Sequence, residues 1–406
     1  MKILFLGGVF DDSHNEEILE KTRTYVEYAA NNFQKKIIYG LKKNNIPLEV
    51  VSVPFLGAYP KAYSDIYFSG FENMQNDDSG YKYYPFNNIY GYRNFSRCRA
   101  AKKGLRNFIK YDDEQKLIIV YAPHTPFVKA AIWAKHKDPR IKICMVVPDL
   151  PQYMDLSEHI SPIYKFLKSI DLKQFAKANR MVDSYVLLTE QMAEALNVGT
   201  RPYRVVEGIY EASSCAIEKK GAIKTIVYTG KLNLAFGALN LVKAFHTMPN
   251  PDLKLVICGS GEAKAEIERI ASMDSRIDFR GQVTSDEARK CIIDGDILVN
   301  PRPNDSVYTK YSFPSKIIDY LATGNPVVAF ELDGMPRVYK DFIYYIPENT
   351  TESIAQTIQK VISADKEDIR KKAYGALKYI NTKLSREVVA KTIIDLNFDR
   401  NDCNYR

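Results

Sequence analysis

Short apolar runs that end in glycine or polar residues recur along this chain, with stretches of helical spacing between them. That alternation constrains the fold more than any single residue does. Strands separated by helices pair in parallel and wind into sheets covered on both faces. In the first half, Ile3–Leu6 reads as a strand ending at Gly7-Gly8, followed by a helix over about 17–44 and a strand Leu48–Val53. Residues 54–92, rich in Tyr, Asn, Asp and Gly, read as a long loop or inserted flap. A helix over 93–110 leads to strands Leu117–Tyr121, Ile143–Val147 and Tyr185–Leu188, with helices between them, and Val205-Val206-Glu207-Gly208 closes the half. Polar residues 211–222 read as a linker. The second half restarts with strand Thr225–Tyr228 ending at Gly230, helix 237–247, and strand Leu253–Cys258 ending at Gly259-Ser260-Gly261. Helix 262–272, strand 277–279, helix 285–293 and strands 296–299 and 343–346 continue the pattern, and a last amphipathic helix spans about 385–396. The expected organisation is one Rossmann-like domain over 1–210, completed by 385–406 crossing back, a linker at 211–222, and a second such domain over 223–384. Ligands of such sheets bind outside the C-terminal strand ends, so two domains in tandem are expected to enclose a cleft.

Composition narrows the class. At 406 residues the chain has room for two or three domains with full cores. A formal charge of +8 is too small to imply nucleic acid, yet it suits an anionic substrate or membrane surface. The six cysteines are scattered without a CxxC spacing, which reads as a reducing cytoplasm with no zinc site. The apolar start runs into Asp11-Asp12 and is too short for a signal h-region, and no apolar run is long enough to span a membrane.

The segment Ser312–Val328 carries the most chemistry. Pro314-Ser315 signals a turn with Ser315 as N-cap, and Ile317, Ile318, Tyr320 and Leu321 give the following helix a buried side. Gly324 stands where a C′ glycine ends a helix, and Val327–Phe330 reads as a buried strand. Free N–H groups in the first turn suit an anion such as a phosphate, and Lys316 adds a full charge there. Asp319 lies one turn further on the same face, where a carboxylate accepts hydrogen bonds from the paired hydroxyls of a ribose.

Five segments together resemble the donor domain of a GT-B glycosyltransferase of the retaining family 4. They are Tyr228-Thr-Gly-Lys231, Cys258-Gly-Ser-Gly-Glu262, Phe279-Arg-Gly-Gln-Val283, Val299-Asn-Pro-Arg302 and Ser312–Val328, in the family's order over about 225–347. The last two resemble the branch found among bacterial capsule, exopolysaccharide and O-antigen enzymes. The resemblance implies a cytoplasmic hexosyltransferase that takes a UDP- or GDP-linked sugar as substrate and needs no cofactor and no dedicated metal. It implies a first domain that binds a glycan or polyprenyl-linked acceptor. The donor residues it implies are Gly7, Gly8, Gly230, Lys231, Gly259, Arg302, Ser315, Lys316 and Asp319. Lys231 and Lys316 would act on the leaving diphosphate. Two departures stand out. Tyr311 occupies the place of the first of two family acids, with Asp319 at the second, and Phe236-Gly237 replaces a Lys-Gly pair.

In the first half, Asp149 and His124 sit between prolines after strands, placed to hold an acceptor hydroxyl or the donor sugar. His14, His136, His159 and His246 read as surface or capping residues. Residues 93–110 hold Arg93, Arg97, Arg99, Lys102, Lys103, Arg106 and Lys110 and no acid, and residues 164–180 repeat the theme, softened by Asp171, with Lys165, Lys168, Lys173, Lys177 and Arg180 among Tyr164, Phe166, Leu167 and Phe175. Basic amphipathic helices bind anionic membranes, so peripheral attachment to the inner face of a cell membrane is expected. Two rivals are an idle GT-B module that stabilises a partner enzyme, which the missing acid favours, and an epimerase of the same fold, for which too few carboxylates and histidines are present.

Overall fold

The computed structural model describes residues 1–71, 80–109, 114–153, 162–210 and 225–398, the side chains of 162–164 excepted. The chain divides into two compact units, Met1–Ile209 with the helix from Arg386, and Tyr210–Ser385.

The first unit is built on strands that are apolar on both faces, as a sheet covered twice requires. Its elements are β1 (Lys2–Gly7), α1 (Asn15–Lys21), α2 (Tyr28–Lys43), β2 (Leu48–Ser52), β3 (Tyr67–Phe68), β4 (Tyr81–Tyr83), β5 (Phe86–Asn87), α3 (Arg93–Leu105), β6 (Lys116–Tyr121), α4 (Thr125–Lys137), β7 (Ile141–Val147), α5 (Pro162–Asn179), β8 (Ser184–Leu187), α6 (Met192–Ala195) and β9 (Tyr203–Val205). Seven strands run in the order β4-β2-β1-β6-β7-β8-β9, all neighbours parallel. The helix α13 (Arg386–Asn397) packs on α2 and under β7–β9. Asn397 anchors it there: Ser184 Oγ donates to its Oδ1 at 2.6 Å, and Lys142 Nζ donates to its carbonyl at 2.7 Å.

Two expectations for this unit change. The helix anticipated over 17–44 is two helices. At Thr22 the chain leaves the helix, and Arg23 N donates to Ala62 O at 3.0 Å, so the backbone between α1 and α2 bonds to the following loop. The presumed loop 54–92 adds β4 to the sheet edge and a short β3–β5 pair. Its aromatic residues form a core: Phe68, Phe71, Phe86 and Tyr83 are buried, and His14 stacks on Phe71 at 3.9 Å. His14 is therefore a core residue, because its ring finds an aromatic face where a surface position was expected. The linker residues 211–222, together with His159 and Lys110, lie outside the described residues.

The second unit has β10 (Thr225–Thr229), α7 (Ala238–His246), β11 (Lys254–Cys258), α8 (Lys264–Ala271), β12 (Ile277–Gly281), α9 (Ser285–Asp294), β13 (Ile297–Asn300), α10 (Ser315–Leu321), β14 (Val327–Phe330), β15 (Ile343–Ile346), α11 (Thr351–Ile362) and α12 (Lys366–Tyr379). Six parallel strands run β12-β11-β10-β13-β14-β15. Helix α9 begins with a reciprocal capping box between Thr284 and Glu287. The sequence reading assigned no elements between 347 and 384. There Ile354, Ile358 and Val361 recur at helical spacing and seat α11 in the core beside Val328 and Phe330.

Candidate functional site

In the second unit the strand order reverses between β10 and β13, and open parallel sheets bind ligands outside the strand ends at that point. Gly230 and Lys231 follow β10, Arg302 follows β13, and Gly259 follows the neighbouring β11. Backbone hydrogen bonds join these loops. Gly230 N donates to Cys258 O at 2.9 Å and Leu232 N to Ser260 O at 2.9 Å, while Leu234 N donates to Glu262 Oε1 at 2.7 Å. A Cβ on Gly259 would lie 1.8 Å from Gly230 O, and one on Gly237 would lie 2.0 Å from Pro301 O, with φ +150° and +74°. Glycine is required at both places for the loops to approach each other. Tyr228 Oη donates to Lys231 O at 2.6 Å, which fixes the backbone of Lys231 while its side chain stays exposed.

Helix α10 brings the remaining groups. Pro314, not Ser315, occupies its N-cap, and no side chain caps it; Ser315 is the first helical residue. Proline at position 314 has the extended backbone a cap needs, which moves the start one residue earlier than the Ser signal implies. Gly324 lies two residues beyond the C-cap Ala322. With seven residues the helix sums few peptide dipoles, so the half-buried Lys316 side chain is its main positive charge. Asp319 is exposed three positions on. The next residue, Tyr320, is buried, accepts a hydrogen bond from Thr229 N at 3.0 Å and so ties α10 to the end of β10. Burial, with the charge of Asp319 adding to it, pushes the Tyr320 phenol up to about 12. It therefore stays protonated. Sequence reasoning missed Tyr320 as a joint, because a Tyr on the apolar face reads as plain core.

Arg302 is half-buried between aromatic faces, 5.3 Å from the Phe236 ring centre and 5.4 Å from that of Tyr308. Its Nη2 donates to Ser312 Oγ at 3.2 Å, the only side-chain hydrogen bond it makes among the described residues. Burial lowers its pKa from the usual guanidinium value. The stack holds a planar cation beside the crevice with most of its donors uncommitted. Phe236, standing where the resembled family has lysine, is one wall of that stack. Tyr311, in place of the first family acid, is half-buried in the turn before α10. Among the described residues no group of three or more His, Cys, Asp or Glu side chains gathers to hold a metal ion.

In the first unit the reversal lies between β1 and β6, whose ends carry Gly7-Gly8 and Tyr121–His124. The two glycines make room for protein side chains. A Cβ on Gly7 would lie 2.2 Å from Gln34 Oε1, and one on Gly8 2.5 Å from the Phe55 ring, while Gly8 N donates to Gln34 Oε1 at 2.9 Å. His124 caps α4 with its ring 4.5 Å from Phe127 and 5.5 Å from Phe55. Its Nδ1 is buried and has no partner among the described residues. Burial, then the charges of Arg97 and Arg93, hold its pKa well below the usual value, so the ring is neutral. Asp149 follows β7, half-buried, and its charge reaches Tyr121.

Arg97 does not belong to the exposed basic face. It is 3% exposed, donates from Nη2 to Pro54 O at 3.1 Å and Leu56 O at 2.9 Å, and lies 4.8 Å over Phe86. Its position faces inward on α3, where the chain turning from β2 offers carbonyls. Phe95, Arg99, Lys103 and Arg106 remain exposed, as do Lys165, Phe166, Leu167, Ile170, Lys173 and Lys177 on α5. No helix among the described residues is long and apolar enough to cross a membrane.

With this geometry in place, likeness to known proteins gives it a class. Residues 223–364, which hold the whole second-unit crevice, match the family described as Glycosyl transferases group 1. Solved structures of the same fold include the lipopolysaccharide outer core galactosyltransferase WaaB in apo form. It is 12% identical, with 98% of this chain and 99% of that one covered and a TM-score of 0.64. A glycosyltransferase from Rickettsia africae is 14% identical with 98% of both chains covered and a TM-score of 0.62. Anabaena HepE in complex with UDP is 16% identical with 97% and 99% covered and a TM-score of 0.57. A search of curated proteins finds no match. The fold is GT-B, two doubly wound parallel-sheet units, and residues 223–364 carry a glycosyltransferase group 1 domain.

Proposed function

We propose that the protein is a retaining enzyme of the family 4 kind that moves a hexose from a UDP- or GDP-linked donor to a glycan or lipid-linked acceptor in bacterial surface polysaccharide synthesis. One observation carries this reading: Lys231, Arg302, Lys316 and Asp319 flank the strand-order reversal of the matched unit, on loops held together by hydrogen bonds and glycine contacts. A nucleotide sugar presents a diphosphate and a ribose. Lys231, Lys316 and the stacked Arg302 supply charge and donors for the diphosphate, and Asp319 accepts from the ribose hydroxyls. UDP in the HepE complex and the lipopolysaccharide galactosyltransferase of similar fold support this choice of substrates.

As the glycosidic bond breaks, negative charge grows on the departing phosphate, and cations already aimed at it stabilise the transition state more than the ground state. In the same reading the leaving phosphate oxygen takes the acceptor proton on the face from which it leaves, so that no protein base is required. The acceptor half is the first unit, where His124 follows β6 at the reversal and Asp149 follows the neighbouring β7. The neutral His124 offers hydrogen bonds to a hydroxyl without adding charge. The exposed basic and apolar residues of α3 and α5 suit a peripheral site on the anionic inner face of a cell membrane, where a polyprenyl-linked acceptor resides.

The test is turnover with a panel of UDP- and GDP-hexoses and lipid-linked acceptors. Lys231→Ala and Lys316→Ala are expected to lower kcat more than they raise KM. Nucleotide binding with no turnover of any donor would overturn the enzyme reading in favour of an idle module. For the membrane half, vesicles containing anionic lipid are expected to sediment the protein in a salt-sensitive way. Sedimentation unchanged by replacing Arg99, Lys103, Arg106 and Lys173 with Ser would contradict it.

A further inference from the structure

Two thiols face each other beneath the Gly259–Gly261 loop. Cys258 ends β11, Cys291 stands on α9, both are buried, and their sulfurs are 3.7 Å apart. Arg280 of β12 donates from Nη1 to Cys291 Sγ at 3.1 Å and is itself held by Asp278 at 2.8 Å. Cys291 and Arg280 also line a cavity of about 330 Å³, with Lys254, Arg276 and Asp278 on its walls. One sulfur thus meets a cation and an approach for a small reagent, and the other lies within reach behind it.

We propose that Cys258 and Cys291 form a reversible disulfide when the protein meets a peroxide, and that this bridge controls the Gly259–Gly261 loop. The Cys291 sulfur attacks one oxygen of hydrogen peroxide. An S–O bond forms, the O–O bond breaks, and the departing hydroxide takes up the thiol proton to give water. The Cys258 thiol then attacks the sulfenic sulfur. The S–S bond forms, the S–O bond breaks, and water leaves with the Cys258 proton. Two thiols are oxidised and one peroxide is reduced to two waters. Cys291 lines the cavity and Cys258 lies 3.7 Å behind it, which makes Cys258 the resolving partner.

A disulfide bond is about 2.05 Å long, so the sulfurs must close by roughly 1.7 Å. Cys258 O accepts from Gly230 N, and Gly259 N donates to Gly281 O at 2.7 Å. Drawing Cys258 toward α9 pulls on both bonds and so on the loops that flank the crevice. The expected loss of nucleotide affinity rests on the donor-site reading given above.

The experiment treats the full-length protein with hydrogen peroxide, alkylates it in denaturant and maps its peptides by mass spectrometry. A linked Cys258–Cys291 peptide that dithiothreitol releases is expected. It should persist in a Cys98→Ser, Cys215→Ser, Cys403→Ser triple variant. Separate alkylated Cys258 and Cys291 peptides, or linkage of either to another cysteine, would overturn the pairing. Calorimetry with UDP and GDP reads the second half. Oxidised wild type is expected to bind several-fold more weakly than reduced, with full recovery on reduction and no response in Cys291→Ser or Cys258→Ser. A bridge that forms without changing affinity overturns the loop coupling. If neither nucleotide binds the reduced protein, the donor-site reading fails while the peptide map still decides the bridge.

Discussion

Replacing Tyr320 with Phe tests whether the Tyr320 hydroxyl, which also donates to Thr229 O and meets Thr229 Oγ1, both at 3.3 Å, holds α10 to the sheet. The Tyr320 ring is 1% exposed, and its Oη accepts from Thr229 N at 3.0 Å. Thr229 itself is 2% exposed, so no water replaces the lost acceptor. Phe keeps the ring and its packing and removes only the oxygen. The main cost is the buried Thr229 N–H left without its 3.0 Å acceptor, about 1–3 kcal/mol, with the longer contacts to Thr229 O and Oγ1 lost as well. For a unit of this size each 1 kcal/mol lowers the midpoint of thermal unfolding by roughly 2–4 °C. Urea unfolding followed by circular dichroism reads the free energy. Hydrogen exchange of the β10 peptide reads the site, because the Thr229 amide loses its protection only if the bond is the one described. Lys316 and Asp319 ride on the same helix, so nucleotide affinity should fall with stability. An unfolding free energy within about 0.5 kcal/mol of wild type, with β10 exchange unchanged, would refute the reasoning.

Lys116 and Asp138 form an ion pair at 3.1 Å with side chains 0% and 2% exposed. Asp138→Ala removes the buried carboxylate that both Lys116 and Arg140 bond and is expected to destabilise the first unit by about 3–5 kcal/mol in urea unfolding. The Arg140 hydrogen bond first, then the bond from Lys116, hold the Asp138 carboxyl below its usual pKa against the opposing effect of burial. A depressed folded pKa contributes stability that is present above the unfolded value of about 3.9 and lost as pH falls through the folded value, so the stability gap between wild type and variant is expected to narrow as pH falls below about 3.9. Gly237→Ala places a Cβ against Pro301 O in a left-handed residue and should cost at least about 1–2 kcal/mol while weakening nucleotide binding. Wild-type stability and affinity in that variant would mean the β10 and β13 loops are not locked together there.

Much of this architecture is legible in the sequence because strands buried on both faces announce themselves. Leu117–Tyr121 and Val327–Phe330 are continuous apolar runs, and the glycines after Thr229 and Cys258 mark the C-terminal ends of β10 and β11. The candidate positions Gly230, Lys231 and Arg302 were legible for the same reason: they follow the strands at the reversal point. What stayed hidden depends on contacts distant in sequence. The split of α1 from α2 needs Ala62 as a backbone partner, and the core role of His14 needs Phe71. Arg97 reads as one more cation in a basic run until Pro54 and Leu56 supply carbonyls to it. The Arg302 stack needs Phe236 and Tyr308 from two other segments.

Calorimetric titration of the full-length protein and its Asp319→Ala variant with UDP and GDP tests the central claim most directly, since only a nucleotide site places a ribose on that carboxylate. One of the two nucleotides is expected to bind wild type, with roughly 2–4 kcal/mol of affinity lost in the variant as two charge-assisted hydrogen bonds disappear. Equal affinity in a folded Asp319→Ala protein, or no binding of either nucleotide to wild type, would contradict the assignment of the donor site.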